Sequence, residues 1–353
     1  MSLLSLKKHN IGEGNPVFLI AEAGVNHNGD INIAHELIDA AKEAGADCVK
    51  FQAFTAAETV TLGAPLASHH LANTGSELSH FELIRKLELP PESFTELKYH
   101  CEQKNIMFLS TPYDIRSVAS LIKLNPEAIK IASSEMTNYP LLDLVRRSQI
   151  PVILSTGMAQ WNEIVDSVNF IKEINEKICI LKCTSNYPAS PDSTNLLGIH
   201  RLKEAFSQCV IGFSDHSIGN EISLVALGLG VSIIERHFTL DKDAWGPDHR
   251  ASMNPNEFTN FVKAIRKSEK AFGNKYWPIQ DEEKSQRQTM TKGTYAKSSM
   301  KQGDIVDLAL VIFLRPEGHI SPKNFFLNYI GSKIKVDIPA GTELKPEHFI
   351  MER

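Results

Sequence analysis

Val210-Ile-Gly-Phe-Ser-Asp-His216 and Val231-Ser-Ile-Ile-Glu-Arg-His237 share one form: a short apolar run that stops abruptly in a polar cluster ending on histidine. Upstream the form recurs six times. Phe18–Ile20 runs into Glu22, Cys48–Val49 into Lys50 and Gln52, and Ile106–Leu109 into Ser110 and Thr111. Ala128–Ile131 runs into Ser133, Ser134 and Glu135, Val152–Leu154 into Ser155 and Thr156, and Ile178–Leu181 into Thr184, Ser185 and Tyr187. Stretches with helical periodicity, such as Ile31–Ala44, Phe94–Gln103 and Ile199–Phe206, lie between the runs. Strands that alternate with helices pair in parallel. Eight such units in about 250 residues predict an α/β chain closed into a (β/α)8 TIM barrel. In that fold every strand C-terminus opens on one face, and here the polar clusters sit at those ends. The pattern is that of an enzyme.

Composition agrees. With 353 residues and 42% hydrophobic content, the chain can bury a large core in one main domain plus a small one. The net charge of −5 is spread over mixed signs, so nothing predicts a nucleic-acid partner or an anionic membrane surface. No apolar stretch approaches the roughly 20 residues that span a bilayer. Met1–Asn10 has two lysines but no apolar core, so a signal peptide is not expected. Cys48, Cys101, Cys179, Cys183 and Cys209 are scattered without paired metal spacing, which suits reduced core thiols and a cytoplasmic location.

Helical periodicity persists through Asn256–Phe272, so residues 1–273 are expected to form the barrel. Residues 274–290 combine Trp277 and Pro278 with the charged run Asp281–Arg287 and read as a linker. Residues 291–353 hold strand-like pieces, Asp307–Phe313 and Lys333–Val336, between glycine turns, which predicts a small β-rich domain. Two of its segments look alike, Met300-Lys-Gln-Gly-Asp-Ile305 and Ile338-Pro-Ala-Gly-Thr-Glu343. A module of about 60 residues has little core of its own and is expected to lean on another surface.

The polar tips suggest chemistry. His216 and His237 end neighbouring strands, and two imidazoles with open positions suit a divalent transition ion; two hydrogen-bonded rim residues are the alternative. Lys50 and Lys130 each interrupt an apolar run, where an unpaired ammonium is costly. With the hydroxyls of Thr111, Ser133, Ser155, Ser185 and Ser214 they could hold a compact phosphate or carboxylate. Internal salt bridges, Lys50 with Glu22 or Lys130 with Glu135, compete with that reading, and a Schiff-base lysine is a third. Glu22 could act as a general base or only anchor Lys50. Asp248, in Trp245-Gly-Pro-Asp-His-Arg250, either binds substrate hydroxyls or shapes the turn after Pro247.

In order along the chain, the tips read Ala21-Glu-Ala-Gly-Val-Asn-His27, Lys50-Phe-Gln52, Ser110-Thr-Pro112, Lys130-Ile-Ala-Ser-Ser-Glu135 and Ser155-Thr-Gly-Met158. Cys183-Thr-Ser-Asn-Tyr-Pro188, Ser214-Asp-His-Ser217, Glu235-Arg-His-Phe-Thr-Leu-Asp241 and Gly246-Pro-Asp-His249 follow. This ordered set closely resembles the sialic acid synthase family (N-acetylneuraminate, legionaminate and pseudaminate synthases and spore-coat relatives) over almost the whole chain. The resemblance implies condensation of phosphoenolpyruvate with an N-acylated amino sugar such as N-acetylmannosamine and water, giving a nonulosonate and phosphate. It implies that Lys50, Thr111, Lys130, Ser133, Ser155, Ser185 and Ser214 hold phosphoenolpyruvate, with Ser185 standing where some relatives have Asn. By the same resemblance His216 and His237 bind the metal, usually Mn²⁺, and Glu22 activates water. By resemblance Gln52, Glu135, Tyr187 and Asp248 meet the acceptor sugar, and Glu135 and Asp248 count with Glu22 as catalytic residues. The C-terminal domain resembles the SAF, or antifreeze-like, domain, which in that family covers the partner's barrel in a domain-swapped homodimer.

Two positions depart from the pattern. Lys297 stands where bacterial members commonly place an Arg that meets the acceptor, and a point charge replaces a planar fork there. Arg315-Pro-Glu-Gly318 replaces the usual Arg-Pro-Gly. A metal-dependent barrel aldolase or phosphosugar isomerase that does not use phosphoenolpyruvate is the competing enzyme class, and an ice-adsorbing protein the competing non-enzyme. With no extra basic cluster for a second phosphate, a free N-acylmannosamine or a 6-deoxy-diacetamido sugar is favoured over a 6-phosphorylated acceptor.

Overall fold

The computed structural model describes residues 3–6, 8–66, 74, 78–273, 276 and 278–350. They divide into two compact units, Met1–Phe272 and Gly273–Arg353. In the first, β1 (Leu3–Ser5) and β2 (Asn10–Gly12) form an antiparallel hairpin. Eight strands follow: β3 (Phe18–Gly24), β4 (Cys48–Ala53), β5 (Met107–Pro112), β6 (Ile129–Ile131), β7 (Val152–Ser155), β8 (Ile178–Cys183), β9 (Val210–Asp215) and β10 (Ile233–His237). All eight runs expected from the sequence are strands. They pair in parallel in the order β5-β4-β3-β10-β9-β8-β7-β6, and only the β5–β6 seam lacks ladder hydrogen bonds.

Successive side chains of a strand point to opposite faces. Ile20, Cys48, Leu109, Ile153, Leu181 and Ile233 fill the barrel interior, and Leu4 and Ile11 of the hairpin join the same cluster. The hairpin's strands of three residues are too short to announce themselves by periodicity. Leu19, Val49, Phe108, Leu154, Ile180, Ile211 and Ile234 face outward against the helices. Gly212 allows close packing in the interior, because a Cβ there would run into Leu181 and Ile233.

The covering helices are α1 (Ile31–Glu43), α2 (Ala56–Thr59), α3 (His80–Leu87), α4 (Pro91–Lys104), α5 (Ile115–Leu124) and α6 (Tyr139–Arg147). They continue with α7 (Trp161–Lys172), α8 (Pro191–Thr194), α9 (Gly198–Ala205), α10 (Glu221–Gly228) and α11 (Pro255–Ala271). Their starts follow capping chemistry: Asp30 accepts from the Asn32 N–H at the head of α1. Asn254 and Glu257 form a reciprocal capping box around Pro255 at the head of α11. Each then lays an apolar stripe on the barrel, Leu37 and Ile38 from α1 and Phe258, Phe261 and Ile265 from α11, all fully buried. All five cysteines are buried and free.

The second unit differs from its outline in the sequence. The stretch read as linker forms helix α12 (Asp281–Met290), with no buried residue. Its start is fixed by a capping box between Gln280 and Glu283, which short-range apolar periodicity cannot reveal. Beyond it the strands are shorter than expected: β11 (Gly293–Ala296), β12 (Val311–Leu314), β13 (Lys333–Ile334) and β14 (Phe349–Ile350) in two antiparallel pairs, with helix α13 (Pro322–Asn328). The two look-alike segments pair with each other. Met300 and Ile338 exchange both backbone hydrogen bonds at 2.8 Å. The Gly303 N–H donates to the Ile334 carbonyl, and the Gly341 N–H to the Ala296 carbonyl, again at 2.8 Å. An offset that carries Met300 onto Ile338 carries the first bond onto the second, so the repeat is a local two-fold. No helix among the described residues is long and apolar enough to cross a membrane.

Candidate active site

The same alternation that fills the barrel floor brings polar residues to its mouth. On β3 the inward positions continue from Ile20 to Glu22, on β4 from Cys48 to Lys50 and Gln52, and on β5 from Leu109 to Thr111. β6 and β7 offer Lys130 and Ser155, and β8 to β10 offer Cys183, Ser214, Glu235 and, at the rim, His216 and His237. All of these polar residues line one cavity of about 540 Å³. Ser133, Glu135, Ser185, Tyr187 and Asp248 complete its rim from the loops. Every residue singled out in the first unit therefore meets at one place. Lys297 belongs to the second unit.

Two buried carboxylates share one lysine. The Lys50 ammonium lies 2.8 Å from Glu22 Oε2 and 3.7 Å from Glu235 Oε1, and it donates to Thr111 Oγ1 at 3.1 Å. Gln52 Nε2 donates to Glu22 Oε1 at 3.1 Å. Burial pushes the Glu22 carboxyl above the ordinary range, with Glu235 adding to it and Lys50 opposing. Burial works against Glu235 as well, but there Lys130 and then Lys50 prevail and hold it below that range. Neighbouring carboxyls driven apart in this way suit acid–base work: Glu235 is held in its charged form, and Glu22 takes up a proton more readily than an ordinary glutamate.

Lys130 differs from Lys50. It is 2% exposed, donates to Ser155 Oγ at 2.6 Å and to the Ile131 carbonyl at 3.0 Å, and has no carboxylate within ion-pair distance among the described residues. The bridge to Glu135 considered from the sequence is not formed; Glu135 instead accepts from Asn138 Nδ2 at 2.7 Å. Burial lowers the Lys130 pKa, and Glu235 only partly opposes it. An ammonium so placed, with Ser133, Ser155, Ser185 and Ser214 lining the same cavity, has the chemistry to receive an anion. Gly157 keeps the ring open: its N–H donates to Ser133 Oγ at 2.8 Å, and a Cβ there would collide with Ser185 and Ser133.

His216 and His237 have ring centroids 5.3 Å apart, with Tyr187 packed 4.2 Å and 5.5 Å from them. His216 Nδ1 lies 2.9 Å from the Thr184 carbonyl, which can only accept, so Nδ1 donates there and Nε2 is the nitrogen left to ligate once the ring is neutral. The ring spacing can be spanned by two nitrogens each about 2.1 Å from one ion, and a carbonyl behind the ring is the usual support for a ligating histidine. The pair thus fits a divalent ion. Among the described residues no group of three or more His, Cys, Asp and Glu side chains could hold a metal ion.

Asp248 is buried, and burial followed by the nearby Glu22 raises its pKa to about 6. A carboxyl raised on folding favours the native state below its ordinary pKa and loses that contribution as pH rises through about 6. Asp248→Asn is therefore expected to raise apo-protein stability at pH 7.5 by up to about 3 kcal/mol and to change little at pH 4. Thermal melts at the two pH values check this, and a destabilised variant at pH 7.5 would contradict it.

Sequence reasoning passed over Glu235, although it stands two residues before His237 and so on the same strand face. It also passed over Tyr113, one residue beyond β5, and the wall built by Phe54, Thr59, Val60, His80 and Ile84. No local signal marks that wall, because it is made when α2 and α3 fold over the mouth.

The sequence matches the NeuB family over residues 37–276. The chain belongs to the NeuB family, the sialic acid synthases. Among its relatives, the N,N'-diacetyllegionaminic acid synthase of Campylobacter jejuni is 40% identical over 320 residues, covering 89% of this chain and 96% of that one. The human N-acetylneuraminate-9-phosphate synthase is 33% identical over 333 residues, covering 93% and 91%. Among solved structures, the N-acetylneuraminic acid synthetase of Leptospira borgpetersenii in complex with citrate superposes with a TM-score of 0.71 at 34% identity, covering 81% of this chain and 95% of that one. As a member of the NeuB family the chain is a biosynthetic enzyme of the nonulosonate-forming type, and the barrel mouth is where its side chains can act.

Proposed function

We propose that this synthase condenses phosphoenolpyruvate with an unphosphorylated N-acylated amino sugar and water to give a nonulosonate and inorganic phosphate. The observation that carries the reading is Lys130, a buried ammonium among hydroxyls with no carboxylate partner among the described residues, which asks for an anionic substrate. Lys130 and Lys50, with Thr111, Ser133, Ser155, Ser185 and Ser214, hold the phosphate and carboxylate of the donor. When bound by His216 and His237, a divalent ion such as Mn²⁺ supplies Lewis-acid polarisation of the acceptor aldehyde. The donor's methylene carbon then forms a C–C bond to the aldehyde carbon. Water adds at the adjacent carbon and gives its proton to Glu22, whose raised pKa suits a base. The tetrahedral carbon expels phosphate by C–O cleavage, and Lys130 balances the charge of the leaving group. Gln52, Glu135, Tyr187 and Asp248 orient the acceptor.

The cavity's other wall bears on which acceptor enters. Phe54, Val60, Ile84 and Met158 are apolar, and among the described residues Lys50 and Lys130 are the only lysine or arginine side chains lining the cavity. Both are committed to the donor, so among the described residues of the first unit a second phosphate meets no further cation in this cavity. A 6-deoxy sugar carrying two acetamido groups, or free N-acetylmannosamine, matches such a wall. In the second unit Phe326 and Leu327 are 60% and 65% exposed, which supports an antifreeze-like domain that docks on another copy of the chain and brings Lys297 to the acceptor.

The test is a turnover panel. Phosphate release is measured with phosphoenolpyruvate and each of N-acetylmannosamine, its 6-phosphate and the 2,4-diacetamido-6-deoxy sugar, with Mn²⁺ or with chelator. Release with an unphosphorylated acceptor and Mn²⁺, and a product mass containing all three donor carbons, is expected. Turnover that ignores chelation, or a product formed without the donor's carbons, would refute the proposal.

A further inference from the structure

A second cavity of about 500 Å³ opens on the barrel rim between α7 and α9, under the tips of β7 and β8. Its lining contains two cations, Lys182 and Arg201, and no carboxylate. Lys182 faces outward from β8, opposite in parity to Leu181 and Cys183. Its ammonium donates to the Cys183 carbonyl at 2.9 Å and to Thr184 Oγ1 at 3.3 Å, neither of which carries charge. The Arg201 guanidinium lies 3.8 Å from the Trp161 ring centroid and stacks on it. Ile164 and Leu202 form an apolar floor. Gly198 preserves the room: a Cβ there would stand 3.3 Å from Lys182 Cε.

Two cations facing one cavity repel each other and gain from a shared counter-ion. Burial also draws Lys182 below the ordinary lysine range, opposed only by Cys183. An anion seated between the two would supply the missing charge, as an anionic substrate would for Lys130 in the catalytic cavity. We propose that this rim cavity binds a phosphorylated small metabolite, with Lys182 and Arg201 on the phosphoryl oxygens and Trp161, Ile164 and Leu202 against its apolar body. Nothing in the condensation chemistry uses these residues. The site nonetheless adjoins the catalytic one, because Met158, Cys183 and Ser185 line both cavities and Thr184 carries the carbonyl that orients His216. An occupant would press on the loop that supports the metal-binding pair.

The full-length protein carrying Lys130→Met, which weakens anion binding at the catalytic mouth, is titrated with inorganic phosphate by calorimetry and by tryptophan fluorescence. Saturable binding is expected, weakened about tenfold or more by Lys182→Met or by Arg201→Met, since each removes one charged hydrogen bond. The fluorescence change should disappear with Trp161→Phe. Arg201 is exposed, so its variant tests the site even if melting shows that Lys182→Met fails to fold. Absence of saturable binding in the Lys130→Met protein, or binding indifferent to Arg201→Met, would overturn the assignment.

Discussion

Replacing Lys130 with methionine is expected to reduce turnover by about 10³-fold or more while leaving the apo-protein at least as stable as the wild type. The two halves of that result have one cause. Among the described residues Lys130 has no carboxylate within ion-pair distance, and its burial outweighs the longer-range attraction of Glu235, so in the empty enzyme its charge is a burden that methionine of similar length relieves. In the reacting complex the same charge faces the departing phosphate, and removing a group aimed at charge that develops in the transition state typically lowers rates by about 10²–10³. Losing donor affinity multiplies that effect. The lowered pKa gives a second readout. The ammonium is required for anion binding, so wild-type affinity for phosphoenolpyruvate should fall at a lower alkaline pH than an ordinary lysine at about 10.4 would dictate, and the variant should lose this dependence. Steady-state kinetics across pH together with thermal melts check both halves. A variant that is inactive because it melts early would assign Lys130 to the fold.

Glu22→Gln is expected to lower kcat by about 10²–10⁴-fold, the usual contribution of a positioned proton-transfer group. The fold should survive, because Lys50 retains Glu235 at 3.7 Å and the new side-chain carbonyl can still accept from Gln52. The pH profile separates a base from an anchor. Glu22 must be ionised to take the proton from water, and burial raises its pKa, so wild-type kcat/KM should decline on the acid side from a pH above the ordinary glutamate value. In Glu22→Gln that limb should vanish. A residue that served only to tether Lys50 would instead raise the KM for phosphoenolpyruvate and leave the limb in place.

Much of this arrangement could be read before any coordinates. The eight strands announced themselves because each inward face is apolar at the floor and polar at the mouth. His216 and His237 followed from their positions at the ends of adjacent runs. Glu235 was equally legible, since two-residue alternation puts it beside His237, but with Arg236 next to it the carboxylate had nothing to set it apart. The hairpin β1–β2 and helix α12 left weak traces, because elements of three residues, or polar throughout save one terminal Met290, have no periodicity to detect. The wall of Phe54, Val60 and Ile84 left none, because it exists only where two short helices cross the mouth.

By itself, the sequence determined the order of the eight strand–helix units, the residues at each tip and the family to which they belong, because all of these are properties of neighbours along the chain. The tertiary structure alone decided which charges meet. Among the described residues Lys50 is within ion-pair distance of both Glu22 and Glu235 and Lys130 of no carboxylate, although Glu135 is only five positions along the chain from Lys130. Barrel closure places β3 beside β10, so residues 22 and 235 approach the same ammonium, and Coulomb energy depends on distance through space, not on separation in sequence.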